Sequence, residues 1–192
     1  SLYLYAREAV GFAQVIDGRV HTPVGGPGTI AGLPVSSEML GGSGQLESTV
    51  SDEAVLAAAR KIGIVPTSGP NSTLAALLQV ARSEDGQASD ARELLAERAR
   101  ILGGAAALLR DMLNPEAVVV GGQAFTDYPE AIRGVRAAFA ERSLLPVRDI
   151  RLTRFGGRVQ EAGAGIVSLS TLYADPIGAL RRAHARRSDV SA

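Results

Sequence analysis

LNPEAVVVGGQAF (Leu113–Phe125) decides how the rest of the chain is read. Upstream, apolar residues recur at helical spacing. At Ala117-Val118-Val119-Val120 the period breaks into an unbroken, mostly β-branched run that ends in Gly121-Gly122. Such a run predicts a strand buried on both faces, as parallel sheets require. In an open α/β sheet the carboxyl end of such a strand borders the ligand crevice, so Gly121-Gly122 is a candidate ligand-facing turn. A tight strand-to-loop turn needing positive φ explains the same pair.

Working outward, Asn114-Pro115 ends a long helix, because the residue before a proline is driven out of the helical region. Its apolar stripe runs through Leu94, Leu95, Ile101, Leu102, Ala105, Leu108, Leu109 and Met112, and Asp90 with Glu93 has the spacing of a capping box. Gly103-Gly104 interrupts this helix at about 1 kcal/mol per glycine relative to alanine, which calls for close packing by a neighbour or a nucleotide contact. Two shorter helices are expected before it, over Ser51 to Ile62 and Asn71 to Arg82. Val24 to Val35 and Leu40 to Gly44 read as loops. At the start, Leu2 to Tyr5 alternates and Val10 to Ile16 is apolar. Asp17-Gly18 then precedes Arg19-Val20-His21, giving an antiparallel meander with a DG hairpin. Downstream, Thr126 is expected to open a helix burying Tyr128, Ile132, Val135 and Phe139. A strand over Ile150 to Phe155 follows, then a helix from Glu161 to Tyr173 with Ile166, Leu169 and Tyr173 on its buried side. The order strand-strand-strand, helices, strand, helix, strand, helix predicts an α/β layered fold with a mixed sheet flanked by helices.

The chain has 192 residues, 46% of them hydrophobic, enough for one domain or one lobe of a larger protein. Lys+Arg and Asp+Glu both total 20, which argues against a nucleic-acid surface spread over the whole domain. The absence of cysteine excludes disulfides and thiolate metal sites and is compatible with a cytoplasmic location. No apolar run approaches the ~20 residues of a membrane span. A strand pattern begins at once at Ser1, without Met, so the chain is expected to be a fragment of a longer protein. Arg181, Arg182, Arg186 and Arg187 form a basic tail over 181–192, read as a solvated end or as a contact for DNA phosphates.

Four segments together resemble the ROK (repressor, open reading frame, kinase) family, and they span nearly the whole chain. SLYLYAREAVGFAQVIDGRV (Ser1–Val20) resembles its strand, glycine-rich turn, strand and DG hairpin. GGPGTIAG (Gly25–Gly32) stands where the family has Gly-Glu-x-Gly-His. MLGGSGQLES (Met39–Ser48) stands at its Cys-x-Cys-Gly-x-x-Gly-Cys-x-Glu zinc segment. Leu113–Phe125 is similar to its Asn-Pro-x-x-Ile-Val-Ile-Gly-Gly strand. The resemblance implies the C-terminal, actin-like (ribonuclease-H-like) lobe over residues 1–180, with 51–113 as its helical part. It also implies an N-terminal lobe and any DNA-binding domain outside this chain.

The departures bear on function. The family's phosphate turn, Gly-Thr-Gly-x-Gly-x-Gly, is here Arg7-Glu8-Ala9-Val10-Gly11-Phe12-Ala13, in which only Gly11 remains. Arg7 fills space meant for phosphate, Glu8 repels it, and an ordinary hairpin accounts for the stretch. Thr29 and Gly32 take the places of the family's sugar-binding Glu and of its His, with one deletion nearby. Thr29 keeps a hydroxyl without charge, and Gly32 cannot bind metal. The zinc cysteines fall on Glu38, Leu40 and Gln45, and the two histidines, His21 and His184, lie at opposite ends, so neither metal nor cofactor is expected. Glu47 stands at the family's Glu after the last cysteine. It is a sugar contact by resemblance, or a helix-start acid beside Ser48, Thr49, Ser51 and Asp52. By resemblance Gly11, Gly121 and Gly122 are what remains of the nucleotide side, and Thr29 and Glu47 of the sugar side. These replacements favour the effector and dimerisation domain of a ROK transcriptional regulator. Such a domain is a homodimer reaching DNA through the missing N-terminal domain, with a sugar or sugar phosphate as effector. The alternative is an ATP-dependent sugar-kinase lobe whose catalytic Asp lies upstream.

Overall fold

The structure, a computed structural model, describes residues 1–22, 24–26, 28–146, 149–178 and 180. The arginines of the basic tail and His184 lie outside them. The chain divides into two compact units, Ser1–Gly156 and Gly157–Ala192.

The first unit is built on a mixed five-stranded sheet of order β3-β2-β1-β4-β5. β1 (Leu2–Ala6), β2 (Val10–Ile16) and β3 (Arg19–Val20) form the antiparallel meander. Asp17 and Gly18 both take positive φ, 50° and 75°, which a two-residue hairpin turn requires. β4 (Val118–Gly121) runs parallel to β1, and β5 (Ile150–Leu152) runs parallel to β4. Val118 and Val120 are fully buried on one face, whereas Val119 on the other, expected to be buried too, is only half-buried.

Between β3 and β4 lie α1 (Leu46–Val50), α2 (Asp52–Lys61), α3 (Leu74–Arg82) and α4 (Ala88–Leu113). Ser51 caps α2 through a hydrogen bond from the Ala54 N–H, and Thr73 caps α3 through one from Ala76. The expected capping box at Asp90 and Glu93 does not form. α4 begins two residues earlier, where the Ala88 N–H donates to the Asp85 carbonyl and Ala88 is buried; Asp90 sits in the first turn. Asn114 ends α4 in the left-handed conformation, φ 43°, and accepts a 2.6 Å bond from the buried Arg110. The stripe of α4 buries Leu94, Leu95, Ile101, Leu102, Ala105 and Leu109, but Leu108 and Met112 are exposed, because they fall off the buried face near the helix end.

The helix expected from Thr126 is broken into α5 (Gln123–Thr126), a 3-10 turn over Pro129–Ala131 and α6 (Ile132–Arg142). Pro129 carries no N–H for a continuing helix, which separates the pieces. α6 packs along α4 with Val135 and Phe139 buried. A Cβ at Gly103 would lie 2.5 Å from the Val135 carbonyl and 2.8 Å from the Ala138 Cβ, so Gly103 serves close helix–helix approach.

In the second unit, α7 (Val159–Ala174) extends the expected helix at both ends. Ile166, Leu169 and Tyr173, expected on a buried side, are exposed, Tyr173 by 78%. A helix buries an apolar stripe only where another layer covers it, and among the described residues no such layer covers these three.

Candidate functional site

The residues singled out in the sequence converge on the first residue of β2. The Val10 N–H donates to Glu47 Oε2 at 2.9 Å, and the Val10 carbonyl accepts from Thr29 Oγ1 at 3.3 Å. Thr29 Oγ1 in turn accepts from the Ala31 N–H at 3.1 Å. The backbone reinforces this arrangement. Gly11 and Thr29 form an isolated bridge, the Glu47 N–H donates to Ala31, and the Leu46 N–H donates to Leu33. Glu47 and Thr29 are therefore brought together, and each uses a polar atom on the chain's own backbone. Glu47 belongs to the first turn of α1, a helix too short to show a period in the sequence.

The Arg7-Glu8-Ala9 turn precedes Val10. The Arg7 N–H donates to the Ala9 carbonyl at 3.1 Å, so the turn is tight. The Arg7 Nε is buried with no hydrogen-bond partner among the described residues. Gly11 is not crowded: a Cβ there would meet only the Gly28 carbonyl, at 3.9 Å.

Gly121 and Gly122 end β4 beside β1, with Gly121 paired to Tyr5. A Cβ on Gly121 would collide with the Tyr3 hydroxyl. One on Gly122 would collide with the Ala6 carbonyl, and Gly122 has φ 91°. Both glycines are thus required by packing against β1. Burial pushes the Tyr3 phenol above its ordinary pKa; the neighbouring Tyr5 adds to this and Thr153 opposes it.

Arg98 of α4 was not anticipated. It is 3% exposed, donates from Nε to the Val50 carbonyl at 2.8 Å and from Nη2 to Asp52 Oδ1 at 2.6 Å. Burial draws its guanidinium below the usual arginine range, opposed first by Asp52 and then by Glu8 and Asp127. The sequence held a signal for it: Arg98 falls on the stripe between Leu94 and Ile101–Leu102, where an arginine must find partners inside.

The segment at the zinc position is ordered by hydrogen bonds. Ser37 Oγ donates to Glu97 Oε1 at 2.8 Å and accepts from the Leu40 N–H. The Gly41 N–H donates to the Ser37 carbonyl, and Pro34 bridges Gln45. Arg100 grips Glu97 through two 2.6 Å bonds and, with Ser37, holds its carboxyl below the usual carboxylate range. Of the residues at the cysteine positions, Leu40 is buried in the core while Glu38 and Gln45 are exposed. Gly32 and His21 are exposed. Among the described residues no three His, Cys, Asp or Glu side chains cluster as a metal site, and no helix is long and apolar enough to cross a membrane.

No protein-family profile matches the chain. It is 67% identical over 192 residues to the transcriptional regulator Rv0485 of Mycobacterium tuberculosis, and equally to the transcriptional regulator Mb0495 of Mycobacterium bovis. Each match covers 96% of this chain and 43% of the relative, so the chain spans less than half the length of these regulators. Among solved structures, the ROK hexokinase of Thermus thermophilus superposes with a TM-score of 0.65 at 22% identity, over 82% of this chain and 52% of that one. A ROK-family glucokinase of Streptomyces griseus, in complex with glucose and AMPPNP, gives 0.66 at 19%, over 82% and 56%. A ROK-family transcriptional regulator, a homologue of the E. coli MLC protein, gives 0.61 at 22%, over 79% and 40%. The chain is thus a sequence relative of mycobacterial transcriptional regulators and shares its fold with ROK proteins, kinases and a regulator alike.

Proposed function

We propose that this chain is the C-terminal actin-like lobe of a ROK-family transcriptional regulator and serves it as an effector and dimerisation domain without kinase catalysis. Residues 1–180 form the lobe and 181–192 a basic tail. DNA is reached through an N-terminal domain outside the chain, and the whole works in the cytoplasm as a homodimer. One observation carries the reading: Glu47 and Thr29, at the positions of sugar-binding residues in the resemblance, are both bonded to the backbone of Val10. The Arg7–Ala9 turn adds support. Phosphoryl transfer depends on positioning and on electrostatic stabilisation of phosphate charge. A turn with Arg7, Glu8 and Ala9 where the resemblance has a glycine-rich phosphate loop, keeping only Gly11, supplies neither. The high identity to named transcriptional regulators points the same way.

A sugar or sugar phosphate remains the effector class, held without the full set of sugar contacts. The kinase reading draws on the shared fold alone. A coupled assay of ADP release by the intact protein, over a panel of hexoses with ATP, separates the two. Background turnover, with retention of a DNA fragment carrying its own promoter in a gel-shift assay, is the expected outcome. Sugar-dependent ADP release without DNA retention would reverse the assignment.

A further inference from the structure

A groove of about 460 Å3 lies between the segment 33–36, one face of α4 and the end of α6. That is within the ~300–1,000 Å3 typical of small-ligand sites. It includes none of Val10, Thr29, Glu47, Gly121 and Gly122 in its lining. Its apolar surface comes from Leu33, Val35 and the exposed Leu108, and its charge from Arg100 and Arg142.

The two arginines are placed differently. The Nε and Nη2 of Arg100 are fixed on Glu97, which leaves further N–H donors on a guanidinium that is already immobilised. Arg142, the last residue of α6, makes no hydrogen bond or salt bridge among the described residues. It lies across Gly104, where a Cβ would come 2.7 Å from its Nη1 and 3.1 Å from its Cδ. The missing side chain at 104 therefore lets Arg142 lie along the floor of the groove. The carboxylates in the neighbourhood are Glu97, which is bound by Arg100 and Ser37 and feels the Arg142 charge at longer range, and Glu141, whose charge acts on Arg100. The N–H donors of Arg142 thus meet no acceptor among the described residues and are open to a partner.

We propose that this groove binds a small organic anion with an apolar body, a carboxylate or a phosphate monoester. Its charge lies against Arg142 and the spare donors of Arg100, and its body against Leu33, Val35 and Leu108. The site is independent of the regulator assignment, since its two arginines make no contact with Val10, Thr29 or Glu47 among the described hydrogen bonds.

Titration calorimetry of octanoate and of octyl phosphate into the intact protein tests it, with 1-octanol as the uncharged control. Both anions are expected to bind, more weakly as salt rises, and at least tenfold more tightly than octanol. Arg142→Gln should weaken them at least tenfold without changing the melting profile, and Arg142→Lys should restore part of the loss. Gly104→Ala, which displaces the arginine, should weaken them too. Absence of binding at millimolar anion, equal affinity for octanol, or indifference to Arg142→Gln would each overturn the site. Sedimentation of the same variants provides a separate check: a dimer dissociated by Arg142→Gln, with no anion bound by the parent, would make the groove a contact between copies and overturn it as well.

Discussion

Helix α1 is tied down at both ends, by two clamps of opposite character. At its first turn Glu47 accepts one N–H from Val10 across a half-buried gap, with Thr29 on the Val10 carbonyl. At its last residue and just beyond, Arg98 donates to the Val50 carbonyl and to Asp52 from inside the protein. The first clamp is a carboxylate still partly in reach of water. The second is an ion pair whose members would be charged and unpaired if either were lost. Burial thus decides how much each clamp matters, and the residue made conspicuous by the family resemblance is the weaker of the two.

The largest effect is expected at the buried clamp. Arg98→Met should cost about 3–5 kcal/mol of stability by leaving Asp52 unpaired in the interior. The double substitution Arg98→Met/Asp52→Leu should recover most of that loss. Urea denaturation of the three proteins measures both, and a double variant as unstable as the single one would show that the Val50 carbonyl, not the ion pair, carries the clamp. Next comes Glu47→Ala, which removes a charge-assisted acceptor from the Val10 N–H. About 1–2 kcal/mol is expected, toward the low end for bonds to charged groups because water reaches the site. A loss as large as that of Arg98→Met would erase the distinction between the clamps. The smallest effect is expected for Thr29→Val, which removes a long 3.3 Å bond at an exposed position. About 0.5 kcal/mol or less, near the resolution of the same denaturation measurement, is the expected result.

The sequence revealed what repeats and concealed what pairs once. Val118 to Val120, the Asp17-Gly18 turn and the buried part of the α4 stripe were legible, because each repeats a period or places residues at a required φ. Helix α1 was not, since five residues contain too little of a helical period. The break at Pro129 was overrun because Tyr128, Ile132, Val135 and Phe139 still keep helical spacing across it. Leu108 and Met112 were over-read because an apolar pattern does not reveal where the covering layer stops. Arg98 was missed because the stripe was read as apolar letters alone. At the candidate site, resemblance drew attention to Glu47 and Thr29, but their partner is backbone. A peptide N–H at Val10 leaves no mark in the identity of the residue that carries it.

Gly103 has a consequence for how this lobe can change over generations. With the backbone of α6 at 2.5 Å from where a side chain would begin, position 103 admits no alanine without parting the helices. Ala138 is under the same restriction from the opposite side, since a longer residue there would have to enter the space Gly103 leaves open. The two positions are not interchangeable in this: a smaller residue at 138 would not open position 103, because the Val135 carbonyl, a backbone atom, would still stand in the way. Exposed neighbours such as Ala137 and Ala140 carry no such debt and are free to vary.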